Sequence, residues 1–404
     1  MPSERPGTGV LPREWVLSMA QQVAAAGAGK PRRCSSYVGC KGQEDKKMTS
    51  RERVLQAVAH KPTDRTPADY GAHQVVTDAL VQKLGVADSE ELLKALAVDM
   101  RCIGFNYVQP DTGPDADGYM RSMWGARHRK DDPGDGRPNY ISPFNEDTTA
   151  DEVHAHAWPD PGMLDYSSPQ EQCRKYHEEY ATFGAPWSPF FHEVGWLVGQ
   201  DEFMVWMHTK PEVVHAIIHH IVDYEVEVTR RFLQAADGML DIAYFGNDFG
   251  TQRGLLISPQ MWHEFIRTPL KRFFDVSHDH GCKVMKHSCG AIRDIIPFLI
   301  EDGVDILDPV QVAAAGMDLA GLVRDFGQAL CFHGGVDTQR TLPFGSTEDV
   351  RAEVRSYLAL TREKGGYILC GSQEFIEDIP LDNILAIYDE NQKTIQQTDR
   401  TRLR

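Results

Sequence analysis

No window of this 404-residue chain sustains the roughly 18 to 20 apolar residues that a bilayer span requires, and its start has no unbroken apolar run behind its basic residues. The expectation is a soluble, cytoplasmic protein with no membrane partner. Positive charge is also scarce: 42 Lys and Arg stand against 59 Asp and Glu, a formal charge of -17. Such a field repels polyanions unless a local basic patch overrides it, and none stands out in the main body, so nucleic acid is excluded as the main partner. No GxGxxG run follows the first expected strand, which weakens a dinucleotide-binding reading. The eight cysteines (Cys34, Cys40, Cys102, Cys173, Cys282, Cys289, Cys331 and Cys370) are scattered without a secretory framework. Reduced thiols are expected, with any special role being metal binding or catalysis.

What is present divides unevenly. Residues 1–47 are rich in Gly, Ala, Pro and Ser and are expected to be a disordered extension. At Met48 the run "MTSRERVLQAVAHK" reads as a fresh start, with a Thr or Ser cap, a Glu in the first turn, and Val54, Leu55 and Val58 on one helical face. Residues 48–397 are expected to form one domain, with 398–404 as a tail.

Beyond residue 230, strand-like runs (Leu240–Phe245, Cys282–Lys286, Val304–Leu307, Ala329–Phe332, Tyr367–Leu369) alternate with helical segments over 258–280, 291–302, 317–326, 346–364 and 380–397. Five β-to-α units in succession imply a parallel sheet. Thr66–Tyr70, Cys102–Tyr107 and Thr182–Ser188 supply three further expected strands, and the total of eight predicts a single (β/α)8 TIM barrel. Residues 109–160, where Gly, Pro and Asp cluster between aromatic runs, read as an inserted hairpin or loop excursion. The aromatic run 186–199 fits three roles: cleft lining, a homodimer surface, or core.

In a barrel the chemistry sits where the strands end. Those ends read "FGNDFGTQ" with Asn247 and Asp248, "KHSCG" with His287 and Cys289, "LDPVQ" with Asp308 and Gln311, "FHGGVDTQ" with His333 and Asp337, and "LCGSQEF" with Cys370, Gln373 and Glu374. Residues separated by one in extended chain point the same way, so the imidazole of His287 and the thiolate of Cys289 can share a zinc ion, with Cys370 as a third, soft ligand and a fourth position open. The alternative is a hydrogen-bonding strand-end histidine followed by a cysteine packed as a small hydrophobe. For Asp248, Asp308 and Asp337 the alternative is capping of nearby backbone N–H groups.

The runs "MTSRERVLQAVAHKPTDRTP", "GNDFGTQRGLLISPQMWHEFIRTPLKRF", "KHSCGAIRDIIPFLIEDGVDILDPVQ", "FHGGVDTQRTLPFGSTEDVRAEVR" and "GGYILCGSQEFIEDIPLDNILAIYDE" together resemble the uroporphyrinogen decarboxylase-like superfamily, from about Met48 to Gln397. The resemblance implies a (β/α)8 barrel with its cleft at the strand ends. It is nearer the methylcobamide:coenzyme M methyltransferase branch than the decarboxylases, whose Arg-Gln-Ala-Gly-Arg-Tyr signature is replaced here by "TPADYGAHQVV". That branch holds zinc with His-x-Cys and a distant Cys; His287 and Cys289 match, while the aligned turn puts Gln373 at the third position and Cys370 three places early. Cys370 by another backbone path, Glu374, or no third ligand all remain open.

The implied activity is methyl transfer between a small methylated substrate or thiol and a corrinoid. No Asp-x-His-x-x-Gly run that would ligate cobalt is present, so the corrinoid is expected on a separate protein. In that picture His287, Cys289 and Cys370 hold zinc, Asp248 and Asp337 position or protonate the substrate, and Asn247, Gln311, His333, Gln373 and Glu374 bind it. The alternatives are a cofactor-free decarboxylase of an acidic tetrapyrrole, using Asp69 or Asp248, and a non-catalytic barrel that binds a corrinoid or a partner.

Overall fold

A computed structural model describes residues 48–104, 114–129, 141–187 and 189–402. The expected extension 1–47 and parts of the 109–160 insertion lie outside the described residues.

One seven-stranded sheet organises the chain. Its strands are β1 (Met100–Cys102), β4 (Ala181–Gly184), β5 (Ile242–Phe245), β6 (Lys283–His287), β7 (Ile306–Asp308), β8 (Cys331–His333) and β9 (Tyr367–Ile368), in that spatial order. Every neighbouring pair is parallel, and helices fill the connections. The expected strands of the second half are all found, displaced by one or two residues. Cys102–Tyr107 and Thr182–Ser188 shift back to β1 and β4, because the apolar residues that face inward, Met100 and Ala181, lie earlier than the expected runs.

Among the described residues the sheet has seven strands, not eight. The expected strand Thr66–Tyr70 is represented by a single parallel bridge, Ala68 to Leu369. Pro67 has no N–H to donate, which limits its ladder to three bonds: Asp69 N to Leu369 O, Leu369 N to Pro67 O, and Asp99 N to Ala68 O. The segment therefore bonds to the ends of both β1 and β9.

Alternation along the strands separates two cores. Met100, Ala181, Phe183, Ile242, Tyr244, Met285, Ile306, Cys331 and Ile368 point inward and pack together with Val54 and Val58. The opposite faces meet the helices in a larger core. Val54 and Val58 come from the helix Ser50–Val58, capped by Thr49 in a capping box with Glu52, as its sequence anticipates. This helix covers the end where the strands begin. It is clamped there by Arg53, which grips Asp64 through two nitrogens and Asp99 through the third, while Arg65 grips Asp99 through two more.

The expected helix 258–280 is broken into Pro259–Met261, a π-helical turn Trp262–Arg267 and Thr268–Asp279. Pro269 provides the reason: it cannot donate to the preceding turn, and a wider turn absorbs the missing bond. The insertion carries an antiparallel hairpin, β2 (Tyr119–Arg121) with β3 (Arg127–Arg129), as expected. The 25-residue helix Pro211–Ala235 was not anticipated as a single element. The final helix runs from Leu381 to Arg402, across the boundary expected at Gln397. Of the aromatic run 186–199, Phe190, Phe191, Val194 and Leu197 are core. No helix among the described residues is long and apolar enough to cross a membrane.

Candidate metal centre

The ends of β5 and β6 meet without intervening side chains. A Cβ placed on Gly290 would sit 2.5 Å from the carbonyl carbon of Gly250, and one on Gly250 would sit 2.7 Å from the carbonyl oxygen of Cys289. This contact brings the turn carrying Asp248 against the turn carrying Cys289. The Cys289 N–H donates to Asp248 Oδ1 at 2.8 Å, and the Phe249 N–H donates to Ser288 Oγ at 3.0 Å.

Three ligand atoms converge as a result. Asp248 Oδ1, His287 Nε2 and Cys289 Sγ lie within 4.8 Å of one another, the one such group among the described residues. His287 Nε2 is 3.1 Å from Cys289 Sγ and 3.3 Å from Asp248 Oδ1. Nitrogen, sulfur and oxygen donors at this spacing suit zinc with an open position.

Behind the triad, Asp308 acts as a hub. Its Oδ2 accepts from His287 Nδ1 at 2.7 Å and from the Tyr244 hydroxyl at 2.5 Å, and its Oδ1 accepts from His333 Nδ1 at 2.6 Å. His333 passes the chain on, donating from Nε2 to Asp69 at 3.2 Å. Fixing Nδ1 of His287 leaves Nε2 as the nitrogen facing the other ligands, the usual arrangement behind a metal-bound histidine. Trp187 packs edge-on against both Tyr244 and His287, and Gly246 leaves the room for its ring.

The electrostatics follow from burial opposed by close partners. Burial alone would raise the Asp308 carboxyl, but His333 and His287 outweigh it and hold it well below the carboxylate range. Asp248 is likewise held low by His287. Burial disfavours protonated His333, yet Asp308 and Asp69 push it up to about 10. Burial raises the Cys289 thiol against the opposing pull of His287. Without comparable partners, Lys286 is pulled down to about 7 and His192 to about 4, both by burial first. Glu374 at the rim, with His73 4.0 Å away, is pushed up to about 7 by burial.

The other expected site residues divide. Gln373 reaches the triad, donating to Cys289 Sγ at 2.7 Å. Gln311 braces it by accepting from the Gly290 N–H. Asn247 spends its amide on the start of the helix Phe191–Val198, meeting the Phe191 N–H and His192. Cys370 is not brought into the group. It is buried at the end of β9, three strands from β6 in the sheet order, beside Asp69 and Tyr388. Asp248, expected to position or protonate the substrate, is one of the three converging residues. Asp337 is also absent from the group, its carboxylate capping the N–H groups of Gln339 and Arg340. Sequence reasoning missed Tyr244, Trp187, His192 and Lys286. Tyr244 was detectable as the inward-pointing residue at the end of an otherwise apolar strand.

Comparisons with known proteins agree with this architecture. The family profile described as uroporphyrinogen decarboxylase (URO-D) matches residues 175–393, more than half of the chain. The methylated-thiol–coenzyme M methyltransferase of Methanosarcina mazei is 25% identical over 167 residues, covering 41% of each chain, so the match spans about two-fifths of that relative's length. A solved methyltransferase from Methanosarcina mazei superposes with a TM-score of 0.60 at 15% identity, over 86% of this chain and 99% of that one, a likeness of fold.

Proposed function

This chain belongs to the uroporphyrinogen decarboxylase family, and from that premise we propose that it is a methyltransferase working at a zinc site in the mouth of a (β/α)8 barrel. The bridge from Ala68 to Leu369, with the bond from Asp99 to Ala68, supports the segment 67–69 as the eighth, closing position. The methyl donor or acceptor is a small substrate, and its counterpart is a corrinoid brought by a separate protein. The methyltransferase relative supports that class of reaction.

The observation that carries the reading is the convergence of Asp248, His287 and Cys289, with Asp308 holding the far nitrogen of His287. Zinc bound there would stabilise the anion of a thiol or hydroxyl placed in its open position, easing both loss of the proton and departure of a methyl group. The chain's own groups do the rest. Asp308 fixes the His287 ring. Gln373 donates to the Cys289 sulfur, moderating its charge. Glu374, near neutrality in proton affinity, takes up or returns the substrate proton at the rim. Trp187 and Tyr244 wall the cleft with apolar surface beside the ligands.

Decarboxylation is the weaker reading, because the carboxylates it would use are engaged: Asp69 with His333, and Asp248 with His287 and the Cys289 N–H. Elemental mass spectrometry on protein purified without chelator tests the proposal. About one zinc per chain is expected, lost in Cys289→Ser and in Asp248→Asn but retained in Cys370→Ser. Methyl transfer from a methylated thiol, amine or aryl ether to free cob(I)alamin should follow the metal. Unaltered protein that takes up no zinc when offered it would overturn the reading.

A further inference from the structure

Lys286 is fully buried, yet the metal chemistry described above does not use it. Strand alternation turns it to the opposite face of β6 from His287, into the layer between sheet and helices. A lysine in such a layer is ordinarily disfavoured, since its amine loses water and needs replacement partners. No carboxylate among the described residues lies within ion-pair distance of Nζ. Its partners are two backbone carbonyls, that of Asn247 at 3.0 Å and that of His287, with the Phe249 ring 4.9 Å away.

Those carbonyls are not arbitrary. One belongs to the peptide bond that leads into Asp248, and the other to the peptide bond that leads from His287 towards Cys289. The two turns carrying the three converging ligand atoms are thus tied at their bases by one nitrogen. Two N–H donors suffice, so the tie is available to the amine in either protonation state. A methionine of similar length would fill the same apolar space but hold neither carbonyl, and the amine is therefore explained by what it holds.

We propose that Lys286 is a positioning residue, which fixes the Asp248 turn against the His287–Cys289 turn and so sets the metal affinity of the site. The inference rests on the metal reading above. Removing the amine takes away the one donor that both carbonyls share, and the two turns are no longer held against each other. The opening would separate the oxygen donor from the nitrogen and sulfur donors without touching any of them.

The test measures zinc affinity of the full chain by competition with a chromogenic chelator, and the sulfur-to-cobalt charge-transfer band after loading with Co(II). Lys286→Met should bind zinc about ten- to a hundredfold more weakly, the range seen when supporting partners of metal ligands are removed. Its cobalt spectrum should change, while its far-ultraviolet circular dichroism stays that of the unaltered chain. Lys286→Gln keeps N–H donors on a shorter side chain and should fall between the two. Zinc affinity of Lys286→Met equal to that of the unaltered chain would overturn the inference. If Lys286→Met does not fold, Lys286→Gln decides on the same readouts: weakened affinity with a shifted cobalt spectrum supports it, and unchanged values overturn it. Failure of the unaltered chain to take up zinc removes the metal reading itself, and is recognised before any substitution is made.

Discussion

The two ends of the sheet both bury charge, but they finish it differently. At the end where the strands begin, Arg53, Arg65, Asp64 and Asp99 form a network in which each guanidinium meets a carboxylate through two nitrogens, and the spare donors go to the carbonyls of Met48 and Ala97. Asp99 also accepts the Ala68 N–H. The carboxylates and guanidinium groups answer one another, and they are of types that stay charged across the physiological range. At the opposite end, Asp308, His333 and Tyr244 are equally well paired, but the chain of bonds terminates in Asp248, His287 Nε2 and Cys289 Sγ, atoms whose best common partner is a cation. A buried network that closes on itself secures the fold. One that ends in convergent lone pairs has capacity for a ligand.

This contrast can be broken most severely at the closed end. Asp99→Ala strands the buried Arg65 guanidinium and takes one of two carboxylates from Arg53, and should cost about 3–5 kcal/mol of unfolding free energy in urea titrations, because Arg65 is left as an unpaired buried charge. Zinc bound per folded chain should be unchanged. A stability loss below about 1 kcal/mol would show that the network is less closed than its geometry indicates.

An intermediate effect distinguishes the ends by pH. His333 is raised to about 10 in the folded protein, above the ordinary value of about 6.5. Its contribution is therefore complete below pH about 6.5 and is lost as pH rises towards about 10. Arginines do not titrate in that window. Metal-free protein should lose stability between those limits, and His333→Gln should flatten that slope while Asp99→Ala leaves it intact.

The smallest change is expected at Phe344, which is 84% exposed on the segment that follows β8. Phe344→Ser should alter the unfolding free energy by no more than about 0.5 kcal/mol and leave zinc content unaltered. A larger shift would mark the side chain as part of the packing.

Much of this was written in the sequence. The alternation of apolar strands and capped helices after residue 230 located β5 to β9, and the strand-end rule picked out His287, Cys289 and Asp248, because those signals are local. Which residue joins His287 and Cys289 was not a local question: Cys370, Glu374 or no third ligand were the expected alternatives, and Asp248 read as a substrate-positioning acid or a cap. Softness of sulfur favoured Cys370, but only the spatial order of strands reveals that β9 lies three positions from β6 while β5 lies beside it. Asp308 read as a capping residue because its three partners come from β5, β6 and β8, separated from it by 21 to 64 residues. Lys286 was invisible for the opposite reason: a charged residue in a strand suggests solvent, and only the helix layer over it shows that it is buried. The first strand was overestimated, since propensity does not register that Pro67 cannot donate.

The contact between Gly250 and Gly290 carries a consequence for how this protein tolerates change. Hydrogen atoms, not side chains, set the spacing between the two turns, and neither position has a neighbour that can retreat, since the atoms met are backbone. In a library that randomises the mouth, substitutions at Gln373 or Glu374 would alter the chemistry without displacing the backbone, whereas any residue at 250 or 290 would act as a wedge. Variation in what the cleft accepts is therefore channelled to its rim, and the dimensions of its base are inherited unchanged.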